Sequence, residues 1–228
     1  MIAHKKEFYG GVAMMAAFIV VLVIIFMPIF GGHNGLDYLD NLYNSISKGS
    51  AYYIPKVKEE ADKFVGNSVE VTLVMADSEQ AQQTAPLLMK GGALVNVSGG
   101  QLKASGDLGR ILENCLADSD AMYHNDGGQV SGKYGYDERR VVFNWWNALK
   151  AMDKDLTKQE KFKEAKVIGL IQSKAVECSY NYYKIEPQKI GDKIGIVFFS
   201  LVFYVIYTLW YGFAIMFMFE GWGMKLQH

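Results

Sequence analysis

The chain is poor in cysteine and proline, and its charges nearly cancel. Two of its 228 residues are Cys and four are Pro, and 23 Lys+Arg against 24 Asp+Glu give a formal net charge of −1. Near-neutrality argues against nucleic acid as a partner, because phosphate binding needs a clustered cationic surface. Cys115 and Cys178 are too few for an iron–sulfur cluster, which takes about four thiolates, and neither sits in the Cys-x-x-Cys-His setting of a c-type haem. The H-E-x-x-H, G-x-S-x-G and P-loop motifs are also missing. On these grounds no catalytic residue, metal ligand or cofactor is assigned, and the chain is read as non-enzymatic.

Charge is missing altogether from two long runs, Phe8–Gly32 and Ile194–Phe219. Each exceeds the roughly 20 apolar residues that cross a bilayer as a helix. The first is too long for the apolar core of a cleaved signal peptide, and Met27-Pro28-Ile29-Phe30 follows where small residues would mark a cleavage site. Both runs are therefore predicted to be transmembrane helices, over residues 8–32 and 194–219. Pro28 and Gly31-Gly32 would end or turn the first. No ionisable Asp, Glu, His, Lys or Arg lies within either, which weighs against a proton or ion path through this chain alone. Gly10, Ala13 and Ala17 offer a small-residue face for a neighbouring helix.

Between the runs, residues 33–193 carry 20 of the 23 basic and 22 of the 24 acidic side chains, the balance of an ordinary soluble domain. His4, Lys5, Lys6 and Lys225 flank the outer ends of the two runs. By the positive-inside rule they place tails 1–7 and 220–228 in the cytoplasm and the central domain outside it, a double-pass protein of the cell (inner) membrane with a periplasmic domain. Lys184, Lys189 and Lys193 oppose that orientation, but long loops translocate largely regardless of charge. In an oxidising compartment Cys115 and Cys178 could pair as a disulfide; two buried thiols are the competing expectation.

The domain reads as α+β. An amphipathic helix over Asn34–Ser47 is followed by one opening at Ile54-Pro55, with Val57, Ala61, Phe64 and Val65 as its inner face. Val69, Val71, Leu73 and Met75 alternate as in a strand, and Asp77-Ser78 caps a helix to about Lys90. Residues 93–97 and 101–105 form a hairpin on Gly99-Gly100. The sheet thus has at least three strands. A helix follows Gly106-Asp107. His124 to Tyr136, with four glycines, reads as a loop presenting Tyr134 and Tyr136 as interface anchors. An antiparallel helical hairpin spans 137–183, with its link at Asp153–Leu156 and a capping box at Thr157–Glu160.

The sharpest functional signal lies in the second run. Ser200, Tyr204, Tyr207, Thr208 and Tyr211 recur at helical spacing and set five hydroxyls along one stripe. Hydroxyls facing lipid gain nothing, so the stripe predicts a protein neighbour: another integral membrane subunit, or a second copy of this chain, within the lipid bilayer. The reading is an accessory or scaffold subunit of a larger membrane complex. Its rival is an extracytoplasmic ligand-binding or sensory module. His33, Asp37 and Asp40, and His124 with Asp126, are better read as helix-start and turn residues than as metal ligands. His124, Asp126, Arg139 and Arg140 are the least poor catalytic candidates and form no recognisable nucleophile and base pair.

Overall fold

The computed structural model describes residues 2–224, so the Lys225 of the orientation argument lies outside the described residues. The chain is mostly helical, with one small antiparallel sheet, and divides into two units: Met1–Ile46 with Pro187–His228, and Ser47–Glu186. The first unit holds two helices long and apolar enough to cross a membrane, α1 (Lys5–Phe26) and α10 (Ile190–Trp222). The run Phe8–Gly32 is therefore not a single helix. The chain leaves helical geometry at Met27, one residue before Pro28, whose ring is incompatible with a preceding α conformation. Most of α2 (Gly35–Lys48) also belongs to this unit, opened by Asn34, whose side-chain oxygen accepts the Asp37 N–H at 2.8 Å.

The second unit contains α3 (Ile54–Asp62), β1 (Ser68–Val74), α4 (Ser78–Lys90), β2 (Leu94–Ser98), β3 (Gln101–Asp107), α5 (Leu108–Tyr123), α6 (Gly127–Tyr134), α7 (Glu138–Lys158), α8 (Phe162–Ile171) and α9 (Glu177–Tyr182). The strand order is β1-β3-β2, and both pairings are antiparallel. Ser98 opposes Gln101 across the expected two-glycine turn, where Gly99 takes φ +58°, a value L side chains rarely adopt. Val71, Leu73, Leu102 and Ala104 bury one face of the sheet. That face joins a core with Leu108, Ile111 and Leu112 of α5 and Trp145, Leu149, Met152 and Leu156 of α7.

Four expectations need correction. Val65 is 56 % exposed, because α3 stops at Asp62 and the chain turns before Gly66. The stretch 124–136 is not a loop: α6 fills most of it, anchored by buried Val130 and closed by Gly135 at φ +80°. The hairpin link is not at Asp153–Leu156 either. Leu156 is fully buried and keeps α7 helical to Lys158, so the turn falls at Gln159–Lys161 with Glu160 at φ +62°. Thr157 and Glu160 therefore lie at the end of α7, and α8 starts without a side-chain cap. From α8 the chain continues through a π-helical turn, Gln172–Val176, into α9.

Candidate functional site

The hydroxyl stripe splits once α10 is packed. α1 and α10 run antiparallel, with Phe18 stacked on Tyr207 at 4.2 Å, Phe8 edge-on to Trp222 at 6.2 Å, and the Trp210 indole donating to the Met14 carbonyl at 3.1 Å. Tyr207 thus faces α1, and its buried hydroxyl has no hydrogen-bond partner among the described residues. Ser200 is also covered within the chain: its Oγ lies 2.6 Å from the Tyr43 hydroxyl and donates to the Val197 carbonyl at 2.8 Å. Thr208 satisfies itself on the Tyr204 carbonyl at 2.8 Å. What remains outward is Tyr204, 68 % exposed, and Tyr211, 45 % exposed, although Phe18 also touches the Tyr211 ring at 5.1 Å.

The close approach expected at Gly10, Ala13 and Ala17 occurs one residue away. A Cβ on Gly10 would meet nothing within 4 Å, whereas one on Gly11 would lie 2.7 Å from the Met218 nitrogen and 2.8 Å from the Ala214 oxygen. Gly221 is as tight against Phe8, at 2.4 Å from its nitrogen to such a Cβ. Ala13 and Ala17 instead line an open apolar groove beside the contact, with Ile206, Leu209, Trp210 and Phe213. At 3.6 residues per turn that groove lies roughly 160° around α10 from Tyr204 and Tyr211. Beside the exposed apolar back of α10 at Phe198, Leu201 and Val205, the pair therefore leaves uncovered one flank bearing hydroxyls and one apolar groove.

No family model, curated protein or solved structure matches the chain.

In the second unit, Tyr134 and Tyr136 are half-buried and tied inward. Tyr134 donates to Asp118 Oδ2 at 2.5 Å, and Tyr136 donates to the Gln83 carbonyl at 2.9 Å. Asp118 is 2 % exposed and also accepts from the Trp145 indole at 2.8 Å and from Lys133 Nζ at 2.6 Å. A second buried network joins Gln80, Asn144, Gln83 and Arg140. Both are satisfied polar clusters that position α4, α5, α6 and α7 against one another. Sequence reasoning missed them because Asp118 lies 27 residues from Trp145 and carries no local signature.

The weaker candidates are dispersed. His124 pairs with Asp120 at 3.3 Å on the surface, Arg139 lies over the Tyr180 and Tyr183 rings, and Arg140 donates to Gln83. Among the described residues no three His, Cys, Asp or Glu side chains are gathered for a metal. Cys115 and Cys178 are free thiols, so the disulfide considered above is not formed. Burial pushes both thiols up, Cys115 most strongly.

Lys48 is buried, with its ammonium held by the Asn125 side-chain oxygen at 3.0 Å and by the carbonyls of Tyr182 at 3.1 Å and Ile185 at 2.7 Å. Desolvation lowers its pKa, partly offset by Glu186. Tyr123 donates to the Lys48 carbonyl, and burial pushes its phenol up to about 12, as it does those of Tyr52, Tyr136 and Tyr183. The unfolded chain ionises such phenols near pH 10 while the folded one keeps them protonated. Their stabilisation is full below pH 10 and is lost as pH rises towards 12; Lys48 acts oppositely, gaining as pH approaches 10.5. In the full chain the Ser47–Glu186 unit should therefore lose stability as pH rises from 10 to 12, and these four phenols should ionise only as its helix signal falls. Complete ionisation near pH 10 in a still-folded protein would contradict this.

Proposed function

We propose that the chain is a double-pass membrane protein acting as a non-catalytic accessory or scaffold subunit of a larger membrane complex, with both tails cytoplasmic and its sheet-bearing unit outside. The observation that carries this reading is the half-covered state of α10. α1 takes one face, while the hydroxyls of Tyr204 and Tyr211 and the Ala13–Ala17 groove are left for neighbours. In hydrocarbon a tyrosine hydroxyl gains from a partner helix that supplies an acceptor, and small residues let a helix approach closely. The hydroxyls of Tyr134 and Tyr136 are bonded within the fold, so the proposed interface rests on Tyr204 and Tyr211.

The test is Tyr204→Phe/Tyr211→Phe in the full chain, purified from native membranes in mild detergent. Membrane insertion should be unchanged and co-purifying subunits should fall several-fold, an order consistent with about 0.6 kcal/mol per interhelical hydrogen bond. Tyr207→Phe, which removes a hydroxyl without a partner, should leave the assembly intact. A parent chain that elutes as a lone monomer would overturn the proposal.

A further inference from the structure

β1 is an edge strand, and only part of its outer edge is closed. The Met75 N–H donates to Gly100 on the β3 side, so by the alternation of an antiparallel ladder the even-numbered residues of β1 turn their backbone groups away from β3. Two of these groups are taken by α7: Thr72 N–H donates to Asp155 Oδ2 at 3.0 Å, and Glu70 C=O accepts from Gln159 Nε2 at 2.9 Å. Beyond, Ala76 N–H is taken by Gln80 Oε1 at 3.0 Å. Between them the N–H and C=O of Val74 have no partner among the described residues, and the residue is 70 % exposed.

Val74 lies in a cleft of about 300 Å³ between β1 and α7, lined also by Thr72, Ala76, Lys150, Lys154 and Lys158. The three lysines recur every four residues and share one side of α7. None of them forms a salt bridge among the described residues; Lys150 rests against the Trp146 ring at 4.7 Å. Asp155 is the carboxylate lining the cleft, and it is already bonded to the Thr72 N–H and to Gln159 Nε2. An open pair of backbone groups beside an unneutralised row of ammonium groups selects for an extended chain carrying negative charge.

We propose that this cleft docks an acidic extended peptide segment of a partner protein, which bridges to the N–H and C=O of Val74 and sets its carboxylates against Lys154 and Lys158. Such a bridge uses the two main-chain bonds of β-strand recognition at one residue, and the flanking lysines supply the specificity. The surface is separate from the α1–α10 flanks, and the proposal stands whether or not those flanks assemble.

The test uses the full chain in nanodiscs and a short blocked peptide alternating glutamate and valine, with a lysine–valine peptide as counterpart. The acidic peptide should bind and the basic one should not. Lys154→Ala/Lys158→Ala should weaken binding about tenfold or more, a difference of about 1.4 kcal/mol. Val74→Pro removes the outward N–H while sparing the β1–β3 ladder, and should weaken binding comparably. Unchanged thermal unfolding of the lysine variant separates loss of the site from loss of the fold. Failure of the acidic peptide to bind, equal binding of the basic peptide, insensitivity to Val74→Pro, or displacement by an equal concentration of inorganic phosphate would each overturn the proposal.

Discussion

Replacing Gly11 by leucine is expected to separate α1 from α10, while the same change at neighbouring Gly10 is expected to be silent. At Gly11 an added Cβ falls 2.7 and 2.8 Å from backbone atoms of α10, which no rotamer change can move. The helices must part or shift, and overpacking of a close contact costs about 1–3 kcal/mol, with the upper end expected where the clash is with main chain. Gly221→Leu should act alike, because its Cβ would meet the Phe8 backbone at 2.4 Å. A direct readout is cross-linking between cysteines introduced by Phe18→Cys and Tyr207→Cys in a Cys115→Ser/Cys178→Ser background, since the two rings stack at 4.2 Å. The cross-link should form in the parent and with Gly10→Leu, and should be lost with Gly11→Leu. If all three cross-link equally, the glycine contact does not hold the pair together.

The contrast between Gly10 and Gly11 also shows where sequence reading stops. Period and local chemistry placed the strand at Val69–Met75, the two-glycine hairpin and the cap at Asp77, because each depends on residues within a few positions of one another. Choosing between adjacent glycines requires knowing which way α1 is turned towards α10, and one residue is about 100° of rotation. The hydroxyl stripe met the same limit: its spacing was legible, but the division between inward Ser200 and Tyr207 and outward Tyr204 and Tyr211 depends on where α1 and α2 lie. Helix α6 was hidden for a different reason. Gly127, Gly128 and Gly132 argue locally against a helix, at a cost of about 1 kcal/mol each in a helix interior. Burial of Val130 and the Tyr134–Asp118 bond favour the helix through tertiary contacts. The Val74 edge and the lysine row of α7 were each visible as sequence, but their adjacency is a property of the fold alone.

Asp118 should be the most sensitive polar position in the sheet-bearing unit. Its carboxylate accepts three side-chain bonds, from Lys133, Tyr134 and Trp145, and links α5, α6 and α7. Asp118→Ala strands the Trp145 indole N–H in a fully buried site and removes the counter-charge of Lys133. Removing one partner of a buried pair costs about 3–5 kcal/mol. The Lys133 side chain is 28 % exposed and can turn to water, so the lower end, about 3 kcal/mol, is expected. Asp118→Asn can keep an acceptor for Tyr134 and Trp145 but turns an NH2 donor towards the Lys133 ammonium, so it loses that bond with the charge assistance, at a cost of about 1–3 kcal/mol. Because charge is only part of the loss, adding Lys133→Met to Asp118→Ala should cost less than the sum of the two single changes. Thermal unfolding of the full chain in nanodiscs would measure all four states. An Asp118→Ala protein as stable as the parent would mean that α6 and Trp145 are held by apolar packing alone.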